Sequence, residues 1–245
     1  MIRRLFSLTY AILLTAFPLS AQEGPEMDVV KTSAGDLQIA FIGHGTLMAK
    51  FAGKTMYVDP FSRLADYRKL GKADLVLVTH DHGDHLDAKA LDQVCTDETV
   101  ILLTRKCADE MEKGTVMKNG DVQSVLGIKV EAVPAYNVVQ KRPDGTAFHP
   151  KGEGNGYVLT FGETRVYVGG DTENIPEMKA LKKIDVAFLP MNLPYTMTPE
   201  MVADAARAFR PKVLYPYHYG ETDPQVLVGL LSDAKDIEVR IRKMK

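Results

Sequence analysis

The sequence predicts an α/β fold in which β-sheets are flanked by helices. Its 245 residues, 45% hydrophobic and 25% charged, are typical of one globular domain with a sizeable core. From about residue 34 onward, short apolar runs alternate with turns and with helical stretches. Strands that alternate with covering helices are the pattern of sheets packed beneath helices.

The short apolar runs are the predicted strands. Each has three to six residues and is bounded by turn residues, as strands usually are. The predicted strands are 37–42, 47–51, 55–58, 75–79, 100–103, 128–133, 157–161, 165–168, 186–189 and 213–215. The run 75–79 is apolar throughout, which indicates a strand covered on both faces.

Helices are predicted at 87–94, 108–113 and 199–209. The last has the best start signal, with Thr198 as N-cap, Pro199 as first residue and Glu200 in the first turn. The polar segment 137–155 is a long loop rich in Gly and Pro, and such loops are often functional in compact domains. We find no sequence repeat between the two halves of the chain.

The N-terminus has the features of a secretory signal peptide. Arg3 and Arg4 precede an apolar run over 5–17, and Ser20 and Ala21 provide small residues for cleavage. We expect a signal peptide at 1–21, one folded domain at 22–245, and an exported protein that is periplasmic or secreted. A short membrane anchor is the alternative, but a span needs about 20 apolar residues. No stable membrane insertion is expected after cleavage.

The two cysteines, Cys95 and Cys107, are expected to remain unpaired. The predicted strand between them moves the chain by roughly 15 Å, whereas bridged Cα atoms lie only about 4.4–6.8 Å apart.

The charge balance favours a small-molecule substrate over nucleic acid. The formal net charge is -2, and phosphate backbones need a concentrated basic face. The oligomeric state is left open.

Three of the six histidines fall within six residues. His80, His82 and His85 follow the apolar strand 75–79 together with Asp84. Ligand sites gather at the carboxyl ends of strands in α/β sheets, and two histidines two residues apart in extended chain point to the same side. Imidazole and carboxylate together suit zinc, and also manganese or iron.

Other predicted strands end in ligand-type residues as well. Asp59, Asp171 and His218 each follow a strand end. One polar residue at a strand end carries no information, but several of them predict a common rim where a metal centre is built.

Five short motifs resemble the metallo-β-lactamase superfamily. THDHGDHL at 79–86 matches its His-X-His-X-Asp-His motif, GDT at 170–172 its bridging-aspartate motif, and YHY at 217–219 its final histidine. YVDP at 57–60 and GHGT at 43–46 resemble the branch of metal-dependent hydrolases related to ascorbate-6-phosphate lactonases. The likeness runs from about residue 37 to 219, and implies a four-layer αββα sandwich of two mixed β-sheets flanked by helices.

The resemblance also implies roles for the motif residues. His80 and His82 would bind a first metal ion. Asp84, His85 and His218 would bind a second, with Asp171 bridging the two. One or two Zn²⁺ ions are expected, with Mn²⁺ or Fe as alternatives.

One position departs from the family pattern. Relatives place the third histidine of the first site after the strand that matches 128–133, where this chain has Asn137. Either Asn137 is a weak oxygen ligand, or His149 from the following loop reaches in. We expect His149, because an amide oxygen is a poor substitute for imidazole; a plain surface histidine is the remaining alternative.

Three further residues are assigned to the neighbourhood of the site. His44 would contact the substrate or, slightly favoured, hold a strand end. Asp59 would orient a ligand histidine through its second ring nitrogen. Tyr195 would line the pocket or only pack there.

The implied chemistry is metal-assisted hydrolysis. Two ions about 3.5–4 Å apart can bind a water molecule and lower its pKa, so that the hydroxide attacks a carbonyl or phosphoryl ester, and Asp84 would accept the proton. A lactone or a phosphoester is favoured by lineage likeness alone. Two alternatives stay open: a metal-binding module with a degenerate site and little turnover, and a nucleic-acid-processing phosphodiesterase.

Overall fold

The protein consists of two seven-stranded mixed sheets with helices on their outer faces. A computed structural model describes residues 24–245, and the proposed signal peptide lies outside them. The expected four-layer αββα sandwich is confirmed. Within 24–245, no helix combines the length and the apolar character that a membrane span requires.

The first sheet contains the first seven strands in chain order. Neighbours pair antiparallel from β1 to β4 and parallel from β4 to β7. The strands are β1 Glu26–Thr32, β2 Gly35–Gly43, β3 Thr46–Phe51, β4 Lys54–Val58, β5 Leu75–Leu77, β6 Val100–Leu103 and β7 Thr115–Val116.

The second sheet repeats this arrangement. Its strands again lie in chain order, antiparallel from β8 to β11 and parallel from β11 to β14. They are β8 Val122–Val125, β9 Ile128–Ala135, β10 Gly154–Phe161, β11 Thr164–Val168, β12 Val186–Pro190, β13 Val213–Tyr217 and β14 Glu238–Val239. The halves therefore share a topology although their sequences show no repeat.

Within the described residues 24–245, five α-helices cover the sheets. They are α1 Ala88–Val94, α2 Arg105–Met111, α3 Pro176–Lys179, α4 Pro199–Phe209 and α5 Pro224–Leu230, and a 3-10 turn covers Tyr67–Lys69. Helix α4 has its expected bounds, and the Thr198 side chain accepts a hydrogen bond from the backbone N–H of Met201. The expected helix 108–113 is wrong in position, because the Thr104 side chain caps α2 three residues earlier.

The central core lies between the two sheets. The ring of Phe41 in β2 lies 5.1 Å from that of Tyr215 in β13, and Phe51 in β3 lies 5.0 Å from Phe161 in β10. These contacts span the sheets at separations typical of favourable aromatic pairs.

Each outer face is covered by its own helices. Leu91 and Val94 of α1 are buried against the first sheet. On the second sheet, α4 buries small residues and Phe209, whose ring packs edge-on against Tyr167 of β11. Because both faces are covered, β5 and β12 are buried along their whole length.

Cys95 and Cys107 are unpaired, as expected. Strand β6 separates them, and Cys107 is buried at the start of α2.

Candidate metal centre

The ligand-type residues predicted from the sequence meet at one edge of the sandwich. In each of three groups, the ligand atoms lie within 4.8 Å of one another. The groups are His80, His82 and His149; His80, His85 and Asp171; and His44, Asp84 and His218. The structure thus brings together residues from both halves of the chain.

The first half delivers its residues through one tight turn after β5. The strand ends at Leu77, two residues before the predicted end. The chain then turns so that the carbonyl of His82 accepts hydrogen bonds from the N–H groups of His85 and Leu86, at 2.9 and 2.8 Å. This turn places four ligand-type side chains on one side of the rim.

In the second half, Asp171 directly follows a glycine in the left-handed backbone conformation. Gly170 follows β11 with a φ of +63°, and a Cβ there would lie 2.7 Å from the carbonyl oxygen of Asn155. Only glycine fits this backbone at low cost. In the first half, Gly45 leaves room for His85, because a Cβ at this position would lie 3.0 Å from the His85 ring.

Asp171 stands between the two groups of histidines. Its Oδ2 lies 3.3 Å from Nε2 of His149, and its Oδ1 lies 3.6 Å from Nε2 of His85 and of His218. Each carboxylate oxygen therefore faces a different half of the cluster, which is the geometry a bridging ligand needs.

The buried polar atoms of this cluster lack protein partners. Within 24–245, six buried side-chain nitrogen or oxygen atoms have no hydrogen-bond partner, and five of them converge here. These five are Nε2 of His80, His85, His149 and His218, and Oδ1 of Asp171. Unpaired buried polar groups are costly and rare, so a donor set of imidazoles and a carboxylate aimed at one space fits a metal centre.

The opposite ring nitrogens are held by a buried network around Asp59. The Nδ1–H of His85 donates to Asp59 at 2.8 Å, and the backbone N–H and the hydroxyl of Thr79 donate to the same carboxylate at 2.8 and 2.7 Å. The Thr79 oxygen in turn accepts from Nδ1 of His80 at 3.0 Å. Such contacts fix the tautomer in which Nε2 is free for a metal.

His149 is positioned by Asn137. The Oδ1 atom of Asn137 accepts from the backbone N–H of His149 at 2.8 Å and from its Nδ1–H at 2.7 Å. The Asn137 oxygen is therefore turned to His149, which favours His149 over Asn137 as the ligand. The amide nitrogen donates to the fully buried Glu173 and to the carbonyl of Tyr195.

His218 and Asp84 also have supporting partners. The side-chain amide of Asn192 lies 3.3 Å from Nδ1 of His218. The Nε2–H of His44 donates to Asp84 at 2.9 Å, and the His44 ring lies 3.7 Å from that of His218. His44 thus holds both Asp84 and a rim histidine, and it also lines a cavity.

Burial keeps two of the histidines neutral. Desolvation and the nearby His85 hold the pKa of His80 well below its usual value, and desolvation with His149 lowers the pKa of His82. Neutral imidazole has the free lone pair that metal binding requires.

The carboxylates have the opposite effect on His85. Burial alone would lower its pKa, but Asp171 and Asp59 raise the pKa of His85 to about 9. Burial would raise the pKa of Asp171, yet His218 and His85 hold it well below the usual range. The pKa of Asp84 is likewise low because His218 and His44 outweigh burial. Both carboxylates are therefore ionised at neutral pH.

Two cavities flank the centre. The one of about 500 Å³ is lined by His44, Asp84, His218, Asn192 and Tyr195, among others. The Tyr195 ring is half-exposed and packs edge-on against Phe148 at 5.1 Å. The second cavity, of about 260 Å³, lies beside His80, His82 and His149. At its edge, Lys106 is paired with Asp81 and Glu153 at 3.3 and 2.8 Å.

Three supporting residues were missed by the sequence reasoning. Thr79 was placed at the end of a strand and the start of a motif but was given no role, and Asn192, two residues after β12, was passed over in favour of Tyr195. Glu173 lies two residues after Asp171, but no sequence signal reveals that it is buried.

The comparisons with known proteins agree with this geometry. Residues 38–218 match the model of the beta-lactamase superfamily domain. A UPF0173 metal-dependent hydrolase of Methanopyrus kandleri is 31% identical over 77% of this chain and 86% of its own length. A crystal structure of a protein named as a metal-dependent hydrolase, from Parabacteroides distasonis, has 49% identity and a TM-score of 0.86, and covers 90% of this chain and 100% of that one.

A more distant structure shares the fold. Igni18, a metallo hydrolase of Ignicoccus hospitalis, has 24% identity and a TM-score of 0.71 over 84% of this chain and 95% of its own. The domain match covers most of the chain and contains every residue assigned to the metal centre, from His80 to His218. The chain therefore belongs to the metallo-β-lactamase superfamily, among its metal-dependent hydrolases.

Proposed function

We propose that this protein hydrolyses a small ester at a two-metal centre, and that a lactone or a phosphoester is the favoured substrate. The observation that carries the proposal is the set of five unpartnered buried atoms that converge between the two halves. His80, His82 and His149 would hold the first ion, Asp84, His85 and His218 the second, and Asp171 would bridge them. Zn²⁺ fits these donors, with Mn²⁺ or Fe as alternatives.

When bound, the two ions would supply Lewis acidity, which activates water and stabilises negative charge on a carbonyl or phosphoryl oxygen. The protein's own residues do the rest. Asp84 is the most exposed carboxylate of the cluster and lines the larger cavity, so it is placed to take a proton from the attacking water. His44 donates to Asp84 and keeps its carboxylate turned toward the centre.

The larger cavity has the character of a small-molecule site. Its volume of about 500 Å³ lies in the range of ligand pockets. Phe148 and Tyr195 provide an aromatic wall, and Asn192 provides a polar group beside the centre. A bound ester would rest on the aromatic wall with its reacting group toward Asp84 and Asp171.

The two alternatives are less well supported. A binding module with a degenerate first site would lack a third imidazole there. Against it stands the grouping of His149 with His80 and His82, whose ligand atoms lie within 4.8 Å of one another. A phosphodiesterase acting on nucleic acid would need a basic surface, whereas the net charge is -2.

We also propose that the protein is exported to the periplasm or secreted. The support is the basic, apolar and small-residue order of 1–21. Intact-mass analysis of protein made in a secretion-competent host should show loss of those residues. Full-length protein retained in the cytoplasm would contradict the proposal.

The function is tested by metal analysis combined with a substrate panel. Purified protein should contain about two ions per chain, and chelation should abolish hydrolysis of a simple lactone, of 4-nitrophenyl esters or of bis(4-nitrophenyl) phosphate. Restoring Zn²⁺, Mn²⁺ or Fe²⁺ separately would identify the effective metal. Full metal occupancy without turnover of any member of the panel would favour the binding module.

A further inference from the structure

In the described part of the chain, Arg142 is the single Lys or Arg side chain that lines the larger cavity, and it lines the smaller one as well. Lys106, the other basic residue beside the smaller cavity, is already paired with Asp81 and Glu153. Among residues 24–245, no carboxylate lies within 4.0 Å of the Arg142 guanidinium. The guanidinium of Arg142, which lines both cavities, is therefore available to bind an anion.

The loop holds Arg142 in a defined place. Its N–H donates to the carbonyl of Thr146 at 2.7 Å, and the N–H of Gly145 donates back to the carbonyl of Arg142 at 2.9 Å. The Asp144 side chain accepts from the N–H and hydroxyl of Thr146, which closes the turn. This small hairpin fixes the backbone on which the guanidinium is carried.

The base of the same loop is anchored inside the protein. The fully buried carboxylate of Glu173 accepts from the N–H groups of Val138, Val139 and Gln140 at 2.6–2.8 Å. The Arg142 guanidinium lies 5.1 Å from the ring centre of Phe148, and its Nη2 donates to the Phe148 carbonyl at 3.4 Å. The side chain is thus directed along the aromatic wall of the cavity.

A guanidinium held over an aromatic ring still has donors available for a carboxylate or a phosphate. Its contact with an anion is charge-assisted, and such hydrogen bonds are roughly twice as strong as neutral ones.

We propose that Arg142 binds an anionic group of the substrate, a carboxylate or a phosphate outside the scissile bond. The substrate is then an anionic ester or lactone, and Arg142 is a specificity-determining residue. This inference rests on the proposed function, because it assigns the substrate class of the same site.

The test compares esters that share a leaving group and differ in charge. The metal-loaded enzyme is assayed with the 4-nitrophenyl esters of pentanoate, which is neutral, of glutarate, which carries a carboxylate, and of 3-phosphonopropanoate. The wild type should prefer one of the anionic esters, and which one identifies the anion. Arg142→Gln should lower the anionic-to-neutral ratio of kcat/KM by about ten- to a hundredfold, mainly through KM, and Arg142→Lys should lower it less.

Lys141→Gln is the matched control, because Lys141 is an exposed neighbouring cation that lines neither cavity. It should leave the ratio unchanged, and metal content should stay the same in all variants. An anionic preference that survives in Arg142→Gln would overturn the inference, since the ions alone would then attract the anion. If the wild type hydrolyses neither these esters nor any member of the substrate panel, the proposed function fails. Calorimetric titration of glutarate and 3-phosphonopropanoate into wild type and Arg142→Gln then decides the inference separately. Equal affinities would overturn it.

Discussion

The two halves of the molecule share a strand order but contribute to the centre in different ways. In the first half, one turn after β5 carries His80, His82, Asp84 and His85. In the second half, His149, Asp171 and His218 come from three separate connections. The first half presents a compact motif, whereas the second supplies single residues that become meaningful only when the sheets pack together.

The supporting residues differ in the same way. In the first half, one buried carboxylate, Asp59, orients two histidines through direct and Thr79-mediated hydrogen bonds. In the second half, His149 and His218 have separate partners, Asn137 and Asn192. The histidines of the first half therefore depend on one shared hydrogen-bond network, whereas each histidine of the second half has its own partner and can lose it without affecting the other.

The largest effect is expected at Asp171, where the halves meet. Asp171→Ala should remove the ligand shared by the two ions and the negative charge that lies between the two groups of histidines. Both ions should therefore be lost, and hydrolysis should fall to background. Metal analysis and the ester assay measure this. Asp109→Ala, an exposed carboxylate on α2, is the control and should change neither. Retention of two ions by Asp171→Ala would show that the halves bind metal independently.

His149 and Asn137 provide a sharper comparison within the second half. His149→Ala should lower the metal content from two ions toward one and reduce hydrolysis, because the first ion loses an imidazole. Asn137→Ala should have a smaller effect and lower the affinity for the first ion by about ten- to a hundredfold, as expected for a residue that orients a ligand. Titration with Zn²⁺ under chelator control separates the two cases. If His149→Ala keeps both ions while Asn137→Ala loses one, the roles are reversed.

The pH dependence of metal binding should reflect the carboxylates that raise the pKa of His85, chiefly Asp171 from the second half and Asp59 from the first. Because the pKa of His85 is raised to about 9 in the metal-free protein, a metal must displace its proton at neutral pH. Apparent affinity should therefore rise by up to about tenfold per pH unit from pH 7 to near 9 and then level off. Asp59→Asn removes a charge that raises this pKa, so the levelling should begin at lower pH.

The same shift affects stability of the metal-free protein. The folded-state pKa of His85 lies above its unfolded value of roughly 6.5. Its contribution is therefore fully present below pH 6.5 and is lost as the pH rises through about 9. The free energy of unfolding of the metal-free protein, measured with urea at several pH values, tests this. A contribution of His85 to stability that grows above pH 7 would contradict it.

The smallest effect concerns the contact that joins the outer strand of the first half to the C-terminal tail of the second. Arg242 donates three hydrogen bonds to Asp28 in β1, at 2.7–3.2 Å, and lies over the rings of Phe41 and Tyr215. Arg242→Leu should lower the free energy of unfolding by about 1–3 kcal/mol without changing metal content. Lys245→Gln breaks an exposed pair with Glu221 and should cost about 0.5 kcal/mol or less. Equal losses in the free energy of unfolding for the two variants would contradict the larger contribution expected from the Arg242 contact.

The difference between the halves also explains what the sequence could predict. The first-half motif is recognisable because its residues are neighbours in the chain, and α4 was predicted at its observed bounds because Thr198 and Pro199 mark its start. Strand β1 was missed because its sequence EMDVVKT is largely polar and lies at an exposed sheet edge. The shared topology of the halves is invisible in the sequence because it is a property of strand pairing and not of residue identity.

The environment of each residue was harder to predict than its presence at the rim. His149 was expected at the centre because of the gap at Asn137, and the structure places it there. That Asn137 would orient His149 could not be foreseen, because the contact depends on how a twelve-residue loop closes. Glu173, which anchors that loop, is a carboxylate buried by tertiary packing alone.

The most direct test of the two-metal centre is a crystal structure of the metal-loaded protein with anomalous scattering recorded at the metal edge. Two peaks are expected. One should lie among the imidazoles of His80, His82 and His149, the other among Asp84, His85 and His218, with Asp171 reaching both. A single peak, or a first peak that His149 does not contact, would contradict it.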